Sequence, residues 1–196
     1  MSRVFVGGSR AISRLDAALK RRLDRIVEKR LPVVVGDANG ADKAIQRYLN
    51  DQGFDLVVVF SADPSPRNNL GRWSVRVVRP EHSRRDFDYY ATKDRAMAAE
   101  ATVGLMLWDG QSRGTLLNVL RLAAEGKPVV VYVAPRKTFV EVRAEQDLAG
   151  LLAKLDRNAL KRLQTDAAAE GLSHNLAQQQ SLGLQETGGS QGARSR

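Results

Sequence analysis

The chain has 196 residues, 43% of them hydrophobic, and no cysteine, which fits one domain with a core that needs no covalent staple, followed or not by a tail. Zero cysteine excludes disulfides, thiolate zinc sites, iron–sulfur clusters and thiol nucleophiles, and His82 and His174 are too few for a multi-histidine metal site, so neither a metal nor a cofactor is expected. The 31 Lys and Arg against 22 Asp and Glu give a net charge of +9, which favours phosphate-bearing partners without choosing between nucleic acid and small nucleotides.

In chain order, Arg3–Val6 is a short apolar strand. Ser13 offers an N-cap, with Asp16 three residues on in the manner of a capping box. The helix that follows runs to about Lys29, with Leu15, Leu19, Leu23, Ile26 and Val27 on one face. Pro32 interrupts it, and Val33–Val35 is the second strand. Asn39–Asn50 is helical, Leu56–Phe60 is a buried strand, Ser61–Trp73 a loop and Ser74–Val78 a fourth strand. Asp86–Ala99 is a helix, Val103–Trp108 a strand, Thr115–Glu125 a helix, Pro128–Val133 a strand and Asp147–Leu163 a final amphipathic helix. Uncharged strands alternating with helices imply an α/β, Rossmann-like doubly wound fold. Its mostly parallel sheet is flanked by helices on both faces.

After Gln164 the composition shifts to Ala, Gln, Gly and Ser. The expected division is therefore a domain over residues 1–163 and a largely disordered tail over 164–196, with a frayed helix at 166–182 at most. The tail holds Asp166, Glu170 and Glu186 against Arg194 and Arg196, so the positive charge belongs to the domain. Apolar runs are far shorter than the ~20 residues that span a bilayer, and MSRVFVGGSR lacks a signal peptide's apolar stretch. No membrane partner and a cytoplasmic location are expected.

In such sheets ligands bind beyond the carboxyl ends of the strands, at the switch point. Four segments there are unusual. Gly7, Gly8, Ser9 and Arg10 follow the first strand; two glycines let the backbone approach an anion, and Arg10 can fork onto phosphate. Gly36, Asp37, Ala38, Asn39, Gly40 and Asp42 follow the second; the carboxylates suit ribose hydroxyls or a reacting sugar, or serve as helix caps. Asp109, Gly110, Gln111, Ser112, Arg113, Gly114 and Thr115 follow Trp108 and open a helix, with the small volumes and donors of a phosphate cradle. The Walker pattern is absent, so an ATP-hydrolysing P-loop is not supported. Arg67, Asn68, Asn69 and Trp73 lie in a fourth loop that can read a base by amide bonds and stacking, or plug the core. Lys93 and Asp94 read first as a solvent-exposed ion pair. The run from Lys20 to Arg30 reads as a solvated helix face or, together with Arg67, Arg72, Arg84 and Arg85, as a nucleic-acid footprint.

Together, VFVGGSR, VVGDANGADKAIQRYL, RNNLGRW, YYATKDRAMAAEA and LMLWDGQSRGTLLNVL resemble the YspA-type, YpsA-related branch of the SLOG superfamily, from about Arg3 to Val133. The resemblance implies a Rossmann-like domain that binds nucleotides or nucleotide-derived molecules, as a sensor or as an N-glycosidic hydrolase of the LOG kind. The superfamily also contains the DNA-binding protein DprA, which implies single-stranded nucleic acid as the alternative partner. A homodimer is implied by the same resemblance. The LOG segment GGxGTxxE keeps its Gly114 and Thr115 here, but its catalytic Glu falls on Asn118. Asn cannot act as a carboxylate, so Asp37, Asp42 and Asp94 are the acids available to replace it. An upstream LOG arginine falls on the helix where this chain has Lys93, Asp94 and Arg95.

Overall fold

A computed structural model of the chain describes residues 2–172. Its centre is a seven-stranded sheet ordered β4-β3-β2-β1-β5-β6-β7. The strands are β1 (Val4–Gly8), β2 (Val33–Gly36), β3 (Val57–Ser61), β4 (Ser74–Val77), β5 (Val103–Trp108), β6 (Val129–Val133) and β7 (Thr138–Val142). All neighbours pair parallel except β6 and β7. The helices are α1 (Ala17–Glu28), α2 (Ala41–Asp51), α3 (Phe87–Glu100), α4 (Arg113–Ala124), the single turn α5 (Ala149–Leu152) and α6 (Arg157–Ala169). The doubly wound, mostly parallel fold expected from the sequence is the one observed.

Side chains on a strand alternate between the two faces, and the core divides accordingly. Val4, Val6, Val33, Val35, Leu105 and Leu107 pack with Leu19, Leu23, Ile45 and Leu49 of α1 and α2. Phe5, Val34, Met106 and Trp108 pack with Met97, Leu116, Leu117, Leu120 and Leu163 of α3, α4 and α6. The central strands β1, β2 and β5 therefore bury both faces, which is why their sequences are continuously apolar.

Several boundaries differ from the sequence reading. Gly7 and Gly8 belong to β1, where they pair with Met106 and Leu107, and do not form the turn after it. α1 starts at Ala17, capped by Asp16 and not Ser13; the Asp16 carboxylate accepts the Leu19 N–H at 2.9 Å and the Tyr132 hydroxyl. The intervening chain is held in place because Ser9 O accepts the Ala41 N–H at 3.1 Å. β7 went unassigned although TFVEV is rich in β-branched and aromatic residues. It turns back antiparallel through Lys137, whose φ is 52°. The expected helix Asp147–Leu163 is broken into α5 and α6, with Asp156 capping the second by accepting the Ala159 N–H at 2.8 Å.

The change of composition at Gln164 falls inside α6, so the boundary expected at 163 is not an edge of the fold. Ala167 is buried in the core, and Glu170 accepts from Arg121 at 2.7 and 2.5 Å and from Arg95 at 3.2 Å. The rest of the expected tail, 173–196, lies outside the described residues. Arg121 is buried, and truncating one member of a buried ion pair leaves an uncompensated charge. Glu170→Ala is therefore expected to destabilise the protein by about 3–5 kcal/mol, read as a lower urea midpoint with an unchanged m-value.

Candidate functional site

The sheet reverses its winding between β1 and β5, so a crevice opens at their carboxyl ends. A cleft of about 630 Å³ lies there, within the range of small-molecule sites. Of the residues expected from the sequence, Gly7, Gly8, Ser9, Arg10, Ala38, Asp42, Lys93, Asp94, Asp109, Ser112, Gly114, Thr115 and Asn118 line it. Four loops or helices distant in sequence thus converge on one space. Gly36, Asp37, Gly40, Arg67, Asn68, Asn69, Gly110 and Arg113 lie outside its wall.

The floor is charged and buried. Lys93 is 4% exposed and Asp42 7%, so the pair Lys93–Asp94 is not the solvated surface pair expected. Lys93 Nζ donates to Asp94 Oδ1 at 2.6 Å. Burial alone would lower the lysine pKa, but the Asp94 and Asp42 carboxylates outweigh it and hold the ammonium charged. Asp42 accepts the Ala38 N–H at 3.1 Å. Burial pushes its carboxyl up to about 6, opposed by Lys93 and reinforced by Asp94. Gly36 is required beside them: a Cβ there would stand 2.3 Å from Asp42 Oδ2 and 2.7 Å from Lys93 Nζ. Gly40 is required for another reason, since its φ is 81° and a Cβ would fall 2.2 Å from the Arg10 carbonyl oxygen.

Asn118 occupies the position where the LOG pattern carries its acid. Its amide donates to Asp94 Oδ2 at 3.4 Å and accepts from Arg121 Nη1. Only a side chain with both a donor and an acceptor satisfies these neighbours; a carboxylate there would face Asp94 across the floor.

Asp37 does not face the cleft. It is 1% exposed and accepts from Arg67 Nη2 at 2.8 Å, Arg67 Nε at 3.1 Å, the Arg67 N–H at 3.1 Å and Ser61 Oγ at 3.2 Å. Burial raises its pKa, and the Arg67 hydrogen bonds more than reverse this, leaving it below the ordinary value. The fourth loop is likewise committed to the fold. Asn68 donates to Asp37 O at 2.8 Å and to Asn39 Oδ1 at 3.1 Å, and Asn69 brackets the backbone of Trp73. Gln46 at the centre of α2, which sequence reasoning missed, donates to Gly36 O and Asn68 O and accepts the Leu70 N–H.

The cradle loop after β5 is partly filled from within. Asp109 accepts Ser9 Oγ at 2.7 Å and the N–H groups of Gln111 and Ser112 at 3.0 and 2.7 Å. Burial raises the Asp109 pKa, but these hydrogen bonds outweigh it and hold the carboxyl low. Ser112 caps α4 by accepting the Thr115 N–H. Arg113, expected on a phosphate, instead pairs with Asp166 at 2.8 Å and lies 4.6 Å from the centroid of Phe87. Gln111 of the expected cradle loop also lines the cleft, as do Phe5, Arg85, Asp86, Phe87, Ala91 and Met97, of which sequence reasoning missed all but Arg85. Phe87, Tyr90, Ala91 and Asp94 stand at i, i+3, i+4 and i+7 along α3, the spacing of a single helix face, and that spacing was the available signal.

Fold and cleft together define a Rossmann-like α/β domain with its candidate site at the switch point. No protein-family profile matches the chain, and no curated protein matches it. Among solved structures it is similar to the single-stranded-DNA-binding DNA processing protein A from Helicobacter pylori, with a TM-score of 0.53 and 14% identity over 86% of this chain and 81% of that one. At that identity the likeness is one of fold. Among the described residues, no group of His, Asp and Glu is placed to hold a metal ion, and no helix is long and apolar enough to cross a membrane.

Asp42 gives this site a stability signature. Its carboxyl titrates near 3.8 when unfolded and at about 6 when folded, so the folded state binds more protons between those values. Its contribution is present below about pH 4 and lost as pH rises through 6. Asp42→Asn removes the titration, so the variant is expected to gain stability relative to wild type as pH rises from 4 to 6, measured by urea unfolding across that range. A parallel pair of profiles would contradict the assignment.

Proposed function

We propose that the chain binds a nucleotide unit, phosphate with ribose, in the cleft at the ends of β1 and β5. The observation that carries this reading is the composition of the cleft wall. It joins the first turn of α4, an arginine without an ion-pair partner among the described residues, and two carboxylates over a buried lysine. The N–H groups at the start of α4 that Ser112 does not take have no intrahelical acceptor, and a helix N-terminus attracts phosphate. Arg10 is exposed, lines the cleft and stands 5.6 Å from the Tyr90 ring centroid, where it can turn to an anion. Asp42 and Asp94 suit the hydroxyls of a sugar. This reading accords with the YspA-type SLOG resemblance, and it covers both a sensor and an N-glycosidic hydrolase; with Asn118 in place of the acid, a hydrolase would depend on Asp42 or Asp94.

The fold comparison favours a second reading, single-stranded DNA, more than it favours a free nucleotide, because the similar solved structure is of a protein with a single-stranded-DNA binding mode. The exposed Lys20, Arg21 and Arg25 of α1 and its C-cap Lys29 make no ion pair among the described residues, consistent with a backbone footprint.

Calorimetric titration of AMP and of a thymidine oligonucleotide at low and high salt separates the two. AMP binding that persists at high salt supports the compact site. Oligonucleotide binding alone, weakening with a log–log slope of about −0.7 per phosphate, supports the strand. In either case Arg10→Ala is expected to raise Kd roughly 10- to 100-fold, the worth of one charge-assisted hydrogen bond. An unchanged Kd would remove Arg10 from the site.

A further inference from the structure

We propose that Phe87 is the platform on which the base of the bound nucleotide stacks, and that Arg113 braces it from behind. The inference rests on the nucleotide reading of the cleft and assigns its base subsite. The loop that sequence reasoning gave to the base is spent: Arg67 is held by Asp37, Asn68 by Asp37 and Asn39, and Asn69 by Trp73. An aromatic surface does remain open at the cleft. Phe87 is 40% exposed, the most exposed large hydrophobic side chain among the described residues, although it sits on the first turn of a helix beside a packed core.

The ring is contacted from α4. The Arg113 guanidinium lies 4.6 Å from its centroid and is tied to Asp166 of α6 at 2.8 Å. A Cβ added to Gly114 would touch Phe87 Cε2 at 3.8 Å, so the first turn of α4 abuts the ring edge. Phe87 also borders a second cavity, between α3, α4 and α6, in which Asp166 is a wall residue. The ring thus stands as a partition with the Arg113–Asp166 pair behind it and the cleft in front. Tyr90, one turn along α3 on the same face, extends the aromatic wall inward. The phosphate-attracting start of α4 lies next to this plate, and the carboxylates that suit a sugar lie below it. A nucleotide entering phosphate and sugar first leaves its base at Phe87. Every base offers a π-face, so such a plate selects for a base without choosing among bases.

The test titrates the full chain with AMP, hexadeoxyadenylate and ribose 5-phosphate, the last carrying phosphate and sugar without a base. Wild type is expected to bind AMP or the oligonucleotide about 10-fold more tightly than ribose 5-phosphate; which of the two it prefers distinguishes a free nucleotide from a strand. Phe87→Leu keeps an apolar side chain but no ring. It is expected to lose that advantage with ribose 5-phosphate unchanged, and Phe87→Tyr to retain it. Arg113→Ala is expected to weaken only the base-bearing ligands. Equal affinity of wild type for AMP, oligonucleotide and ribose 5-phosphate would overturn the plate and leave the nucleotide site standing. So would losses in Phe87→Leu that are equal across ligands, or absent. A loss of ribose 5-phosphate binding in Arg113→Ala would place Arg113 on the phosphate and overturn the brace. Binding of none of the three would overturn the nucleotide reading and the plate together.

Discussion

A lysine ammonium buried at the end of a parallel sheet must be neutralised where it sits, and the cleft is arranged around that requirement. Lys93 reaches from α3 into the space above β2, which Gly36 leaves open. Asp94 answers it from the same helix, and Asp42 from α2, on the other face of the sheet. The attraction between Lys93 and Asp42 therefore runs from one helical layer to the other at the switch point. Asn118 continues the network from α4 by accepting from Arg121 and donating to Asp94, and Arg121 carries it on to Glu170 of α6. The floor of the cleft and the docking of the last described helix are parts of one connected set of polar contacts.

A second clasp keeps the neighbouring loops out of the cleft. Asp37 gathers Arg67 and Ser61, and Gln46 holds Gly36, Asn68 and Leu70. Two acids five residues apart thus have opposite fates. Asp37 is fully paired and held charged, while Asp42 keeps a raised pKa and a face on the cleft. A carboxyl poised in that way is the more useful one at a ligand site.

The two functional readings differ in which part of the charge they use. A compact nucleotide would use the start of α4, Arg10 and the carboxylates of the floor; a strand would use the same cleft together with basic surface beyond it, such as that of α1. On either reading the aromatic rim of α3 is available to a base.

The apolar strands and the period-3.6 helices were legible in the chain because continuous Val and Leu runs need burial on both faces, and because helix faces repeat locally. That residues at the ends of β1, β2 and β5 such as Ser9, Asp42 and Ser112 would line one cleft was legible too, since a doubly wound sheet brings its carboxyl ends together. Partnership between distant side chains was not legible. Nothing local in RNNLGRW shows that Arg67 belongs to Asp37, or that Arg113 turns away to Asp166 while Phe87 stays open. The Ala- and Gln-containing stretch after Gln164 looks like a tail by composition, yet Ala167 and Glu170 find a core position and a buried arginine. Periodicity and composition are set within a few residues, and the sequence determines them by itself; which charge meets which is decided only when the sheet closes, because the Coulomb and hydrogen-bond terms that choose partners act over a few ångströms between residues tens of positions apart.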